Sequence, residues 1–163
     1  MESRATLLGH PIHPMLIVLP LGLLIAAVVF DGVYLAQGSG TFAALAYWNI
    51  GAGVVGGLLA AVFGLIDWLA IPSGTRAKRI GLLHGGANVL VVLTFALVWL
   101  ARGDHVYYAT TTGLFALELG ALVLASVGGW LGGELVDRLG VGVHDGAHLD
   151  APSSLTGRPA RMR

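Results

Sequence analysis

Four long apolar runs constrain this chain more than any other feature: residues 14–36, 42–71, 80–101 and 111–136. An α-helix rises about 1.5 Å per residue, so about 20 residues cross a hydrocarbon core about 30 Å thick. Each run is near or above that length. Only 11% of the residues are charged, against about 25% in a soluble domain. That is too little polar surface to cover a globule in water, so lipid is the expected solvent. Helices satisfy their own backbone polar groups there. The expected fold is all-α: an integral membrane four-helix bundle, antiparallel and up-down because its loops are short. The first run is too long for the apolar part of a signal peptide, about 7–15 residues, and "VYLAQGSG" is a poor cleavage site.

The chain divides into a lead (1–13), a transmembrane unit (14–138) and a tail (139–163). The tail is rich in Gly, Pro and Asp without apolar periodicity, and is expected to be disordered. Eight of the nine basic residues flank the ends of the runs on one side: Arg4, Arg76, Lys78, Arg79, Arg138, Arg158, Arg161 and Arg163. Arg102 alone falls on the other, at the second outer loop. The positive-inside rule therefore puts both termini in the cytoplasm. Pro14 reads as the first residue of helix one. Pro20 leaves the carbonyl of Leu16 without a donor, which predicts a kink there.

There is no cysteine, so disulfides and thiolate-held metals are excluded. Net charge is zero and no basic cluster interleaves with aromatics, so no nucleic-acid partner is expected. G-x-S-x-G, H-E-x-x-H and phosphate-loop patterns are all missing. The chain is not expected to be an enzyme on its own. Small residues at helical spacing (Gly53, Gly57, Ala61, Gly64; Ala121, Ala125, Gly129, Gly133) fit close helix packing or room for a flat cofactor.

Ionisable residues inside spans are costly and mark function. His10 and His13 stand where helix one starts, Asp67 one turn before helix two ends, His84 one turn into helix three, and Glu134 near the end of helix four. All lie at one level, the cytoplasmic rim. In "GHPIHP" each histidine precedes a proline, which disfavours helix there. A polyproline II segment would put both rings on one side. His10, His13, Asp67 and His84 then form a candidate metal set, and His10, His13 and His84 candidate haem ligands. The competing reading is hydrogen bonding to headgroups and carbonyls, with Asp67 pairing with Arg79 or capping helix three. His84 and Asn88, four apart, share a helix face. Glu134 and Arg138 form an i, i+4 pair.

A second polar set lies in the outer half: Asp31, Asn49 and Glu118. Asn49 and Asp67 are eighteen residues apart, five turns, and share a helix face. Either polar groups line up from rim to rim as a proton or ion path, or two separate interfacial clusters exist.

"GHPIHPMLIVLPLGLL", "FGLIDWLAIP" followed by "LLHGGANV", and "GGWLGGELVDRLGVGV" together resemble a family of bacterial membrane proteins catalogued as domain of unknown function 2231. The resemblance implies a four-helix membrane unit, and relatives found beside cytochrome-type or Rieske-type redox domains tilt the expectation toward electron transfer. The expected function is a redox-associated subunit holding b-type haem or a transition metal at the cytoplasmic His/Asp cluster, with a redox partner protein and homo-oligomerisation as further expectations. A metal-transport bundle and a non-catalytic anchor are the alternatives.

Overall fold

Pro20 has no N–H to offer Leu16, and the first span is interrupted where that bond is missing. The computed structural model describes residues 1–158 and 160. In it a short helix α1 (Ile12–Leu16) gives way at Ile17 to α2 (Val18–Gln37). The other long helices are α3 (Gly40–Ala70), α4 (Arg76–Arg102) and α5 (Thr112–Gly133). A 3-10 turn, Val106–Tyr108, precedes α5, and a π-turn, Glu134–Arg138, extends it. Four helical segments are thus long and apolar enough to cross a membrane: Ile12–Gln37, Gly40–Ala70, Arg76–Arg102 and Val106–Arg138. Arg161 and Arg163, counted above on the basic side, lie outside the described residues.

Local chemistry sets the ends. Gly38, at φ 70°, closes α2 in the left-handed conformation that glycine adopts without a Cβ penalty. The Thr75 and Thr111 hydroxyls accept from Lys78 N and Leu114 N, capping α4 and α5. The first helix starts at Ile12, two residues earlier than expected. Pro14 is its third residue, where an N–H would still lack a helical partner. Before it, Thr6–Leu7 (β1) and His10–Pro11 (β2) form a two-residue antiparallel hairpin. Beyond Arg138 the described tail has turns and one 3-10 turn, Ser154–Thr156, but no long helix.

Consecutive spans pack side by side, and α2 against α5 closes the ring. The first and third spans therefore face each other across the bundle's centre. Along that diagonal the two spans match. A shift of 71 residues carries His13, Pro20, Leu24, Ala27 and Asp31 onto His84, Val91, Phe95, Val98 and Arg102. The last four of each set are buried. A shift of 68 carries Ile50, Gly53 and Ala60 of α3 onto Glu118, Ala121 and Gly128 of α5, again all buried. The bundle is thus two similar helical hairpins facing each other. Parallel repeats of this kind are related by an axis along the membrane normal.

The core on that axis comprises Leu24, Ala27, Val28, Ala46, Ile50, Val91, Phe95, Val98 and Ala121. Large apolar side chains such as Leu21, Val55, Leu93 and Val123 point outward, as a lipid-facing surface requires. Gly53 lets α3 approach α2: a Cβ there would lie 2.7 Å from Leu24 Cδ2 and 2.8 Å from its Cγ. Gly120 has open space around it. Gly53→Val is therefore expected to destabilise the fold by about 1–3 kcal/mol through overpacking. Gly120→Ala is expected to be neutral or stabilising by up to about 1 kcal/mol. Unfolding midpoints in detergent micelles check both.

Candidate functional site

Two polar sites sit at opposite ends of the diagonal. At the end carrying the chain termini, His13 and His84 face each other with ring centroids 6.2 Å apart and planes at 85°. Each ring is held the same way. His13 Nδ1 is 2.8 Å from the Ala60 carbonyl and lies over Gly64, where a Cβ would come within 2.9 Å of the ring. His84 Nδ1 is 2.8 Å from the Gly128 carbonyl and lies over Gly132. A carbonyl oxygen only accepts, so both Nδ1 atoms carry a proton, which in a neutral imidazole leaves the lone pair on Nε2. The Asn88 amide donates to the His84 carbonyl at 2.9 Å and approaches Nε2 at 3.2 Å. The Nδ1 bonds to the Ala60 and Gly128 carbonyls are of the kind that fixes tautomer and ring direction in a metal-binding imidazole.

The structure does not bring the rest of the expected set to this pair. His10 is exposed; its Nδ1 lies 3.3 Å from the Leu8 carbonyl and 3.5 Å from Ser154 Oγ. His10 and His13 do not share a side, because only His10 is extended. His13 is helical despite preceding proline, and its ring turns inward onto α3. Asp67 accepts from Ser3 Oγ (2.7 and 2.8 Å), Arg4 N (2.8 Å) and Ala5 N (3.3 Å). It thus anchors the lead. Arg79 is not its partner. Glu134 pairs with Arg76 of α4 rather than with Arg138. Among the described residues, no group of three or more His, Asp or Glu side chains is placed to hold a metal ion.

At the other end, Asp31, Arg102 and Glu118 are each 0% exposed. Arg102 grips Asp31 with two parallel bonds, Nη1 to Oδ2 at 2.6 Å and Nη2 to Oδ1 at 2.8 Å. It also reaches Glu118 Oε1 at 3.4 Å, the Ala43 carbonyl at 3.1 Å and the Tyr108 carbonyl at 2.8 Å. Planar guanidinium suits this fork-to-carboxylate geometry. Tyr108 is left-handed at φ 57°, which is strained for a non-glycine residue. Stacking on Tyr47, centroids 4.1 Å apart, and the bond from Arg102 hold it there.

Arg102 is the residue that sequence reasoning missed: it was assigned to an outer loop, yet it ends α4 and points into the bundle. Asn49 belongs to neither site, since its amide donates to Leu45 of its own helix. Between the two sites lies the apolar core, so the polar residues form two separate clusters and no continuous rim-to-rim line. Eighteen helical residues separate His13 from Asp31, about 27 Å along a helix.

Removing one partner of a buried ion pair leaves an uncompensated charge and costs about 3–5 kcal/mol. Arg102→Met is expected to destabilise by that amount. Combining it with Asp31→Leu and Glu118→Leu is expected to recover most of the loss. Denaturant titration in micelles measures both.

The family described as "Predicted membrane protein (DUF2231)" matches residues 9–145. A protein of Rhizobium meliloti (strain 1021) named glycerol-3-phosphate acyltransferase is 32% identical over 105 residues, 63% of this chain and 50% of that protein. The chain thus spans about half the length of that curated relative. No solved structure matches. A four-span bundle whose "HPIHP" start, Asp67, His84 and "GGWLGGELV" end all fall inside the matched stretch is a member of the DUF2231 family of membrane proteins.

Proposed function

We propose that this chain is a redox-associated subunit of the bacterial inner membrane that holds a transition-metal centre between His13 and His84. The observation that carries the reading is the facing pair of imidazoles, each locked through Nδ1 onto a backbone carbonyl of the neighbouring helix. Two imidazole nitrogen donors from different helices, His84 Nε2 once the Asn88 amide gives way, would hold a b-type haem or a bare transition-metal ion, which would supply the redox chemistry. They do not suit a closed structural zinc site, which takes four protein ligands. The metal chemistry would belong to the centre. The chain's part is to fix two rings at one depth and to keep lipid and bulk water away from them. Asp67 and His10 act outside the ligand set in this reading: they hold the lead and the tail over that end of the bundle. A partner protein would dock on this end, where the lead and tail meet.

Protein purified from haem-sufficient membranes is expected to carry either a Soret band or stoichiometric metal by elemental analysis, and those two readouts separate haem from a bare ion. His13→Ala and His84→Ala should each abolish it. Asn88→Ala should leave binding intact or tighten it, because the Asn88 amide lies on the Nε2 lone pair that the metal would take. Colourless, metal-free protein that takes up neither hemin nor copper(II) would leave an anchoring bundle.

Orientation rests on basic residues at the terminus-bearing end, including Arg4, Arg76, Lys78 and Arg79. Alkaline phosphatase inserted at Gly38 is expected to be active, and the same enzyme fused after Gly157 inactive. The reverse pattern would place both termini outside.

A further inference from the structure

Arg102 uses all five of its N–H donors within the bundle. Nε goes to Tyr108 O, Nη1 to Asp31 Oδ2 and Glu118 Oε1, and Nη2 to Asp31 Oδ1 and Ala43 O. Nothing is left for Glu118 Oε2, which is buried and has no hydrogen-bond partner. The charge count is also uneven. Asp31 comes from α2, Arg102 from α4 and Glu118 from α5, while α3 offers only the Ala43 carbonyl. The titratable groups beside the cluster are Tyr108, whose carbonyl accepts from Arg102, and Tyr47, stacked on Tyr108. With both acids ionised the cluster carries one uncompensated negative charge in a place closed to water, a costly arrangement.

The repeat shows which acid is surplus. Asp31 and Arg102 occupy equivalent positions and complete each other. The position equivalent to Glu118 in the first hairpin is Ile50, an apolar residue. An ion pair across the axis therefore needs no third member.

We propose that Glu118 is a proton-binding site at the outer end of the bundle, its free Oε2 holding one exchangeable proton that brings the cluster to neutrality. The ligand is a proton rather than a metal cation because only one oxygen is free. Hard cations such as Ca²⁺ take six to eight oxygen ligands and Mg²⁺ near-octahedral geometry. The site lies about 27 Å along the helix from the histidine pair and is independent of what that pair binds.

Infrared spectroscopy of the full chain in lipid nanodiscs tests this. At neutral pH a protonated-carboxyl C=O stretch is expected that shifts in D2O, is lost in Glu118→Gln and is kept in Glu134→Gln. Glu118→Gln should unfold at an unshifted midpoint, since one neutral polar side chain replaces another. If that variant does not fold, wild-type protein carrying side-chain ¹³C-glutamate gives the assignment: the band must move with the label. Only ionised carboxylate bands at neutral pH, or a band indifferent to the label, would overturn the proposal. Loss of the band when sodium chloride replaces choline chloride at fixed ionic strength would overturn it too, in favour of an alkali cation.

Discussion

A hydrocarbon solvent offers no partner to a charged side chain, so every ion inside this bundle must be met by another part of the chain. The Asp31–Arg102 pair is where that requirement is most severe. Both residues are wholly buried, and they come from spans that sit diagonally opposite. Their two parallel bonds fix the rotation and depth of α2 against α4. The same guanidinium takes the Ala43 carbonyl of α3 and the Tyr108 carbonyl before α5. One side chain thus ties together all four spans at one end. Close approach is what makes this reach feasible, and small residues such as Ala43, Ala46 and Gly53 provide it.

The two-hairpin arrangement gives these contacts a common origin. Equivalent positions in facing hairpins meet on the axis, so whatever stands at position 13 meets position 84, and position 31 meets position 102. Two histidines at the first level give a like pair with matching supports, Ala60 and Gly64 on one side, Gly128 and Gly132 on the other. At the second level a strict duplicate would set like charges face to face. Here the signs differ, and the facing positions form a buried ion pair instead of repelling. Between them Leu24, Ala27, Val91, Phe95 and Val98 fill the axis. The two ends are polar and the middle is dry, which suits two separate sites better than a conducting path.

Much of the architecture was legible in the residues. The four spans were found to within a few residues, because length and apolar content are local properties that lipid reads directly. The break near Leu16 followed from one missing N–H at Pro20. Asp31, His84 and Glu118 stood out as expensive groups within apolar runs. Other readings failed for identifiable reasons. Arg102 stands before "GDH" at the edge of a run, where a long side chain normally snorkels to the interface. Only the position of Asp31 and Glu118 in space turns it inward. Asp67 looked like a ligand because it is a carboxylate inside an apolar run at the depth of His84. Its partners, Ser3 to Ala5, lie more than sixty residues away. The "HPIHP" pair looked symmetrical, but a helix starting at Ile12 separates the two histidines into different environments.

The sequence alone determined that this chain crosses lipid four times, where each crossing begins and ends, and which polar groups need a partner. Those follow from chain length, apolar content and the proline and glycine breaks, all of which act within a few residues. Tertiary structure alone decided which groups became partners: His13 with His84, Asp31 with Arg102, Asp67 with the lead. Those choices depend on the relative rotation and depth of helices far apart in the chain. Rotation and depth are set by packing around the shared axis, which no single segment contains.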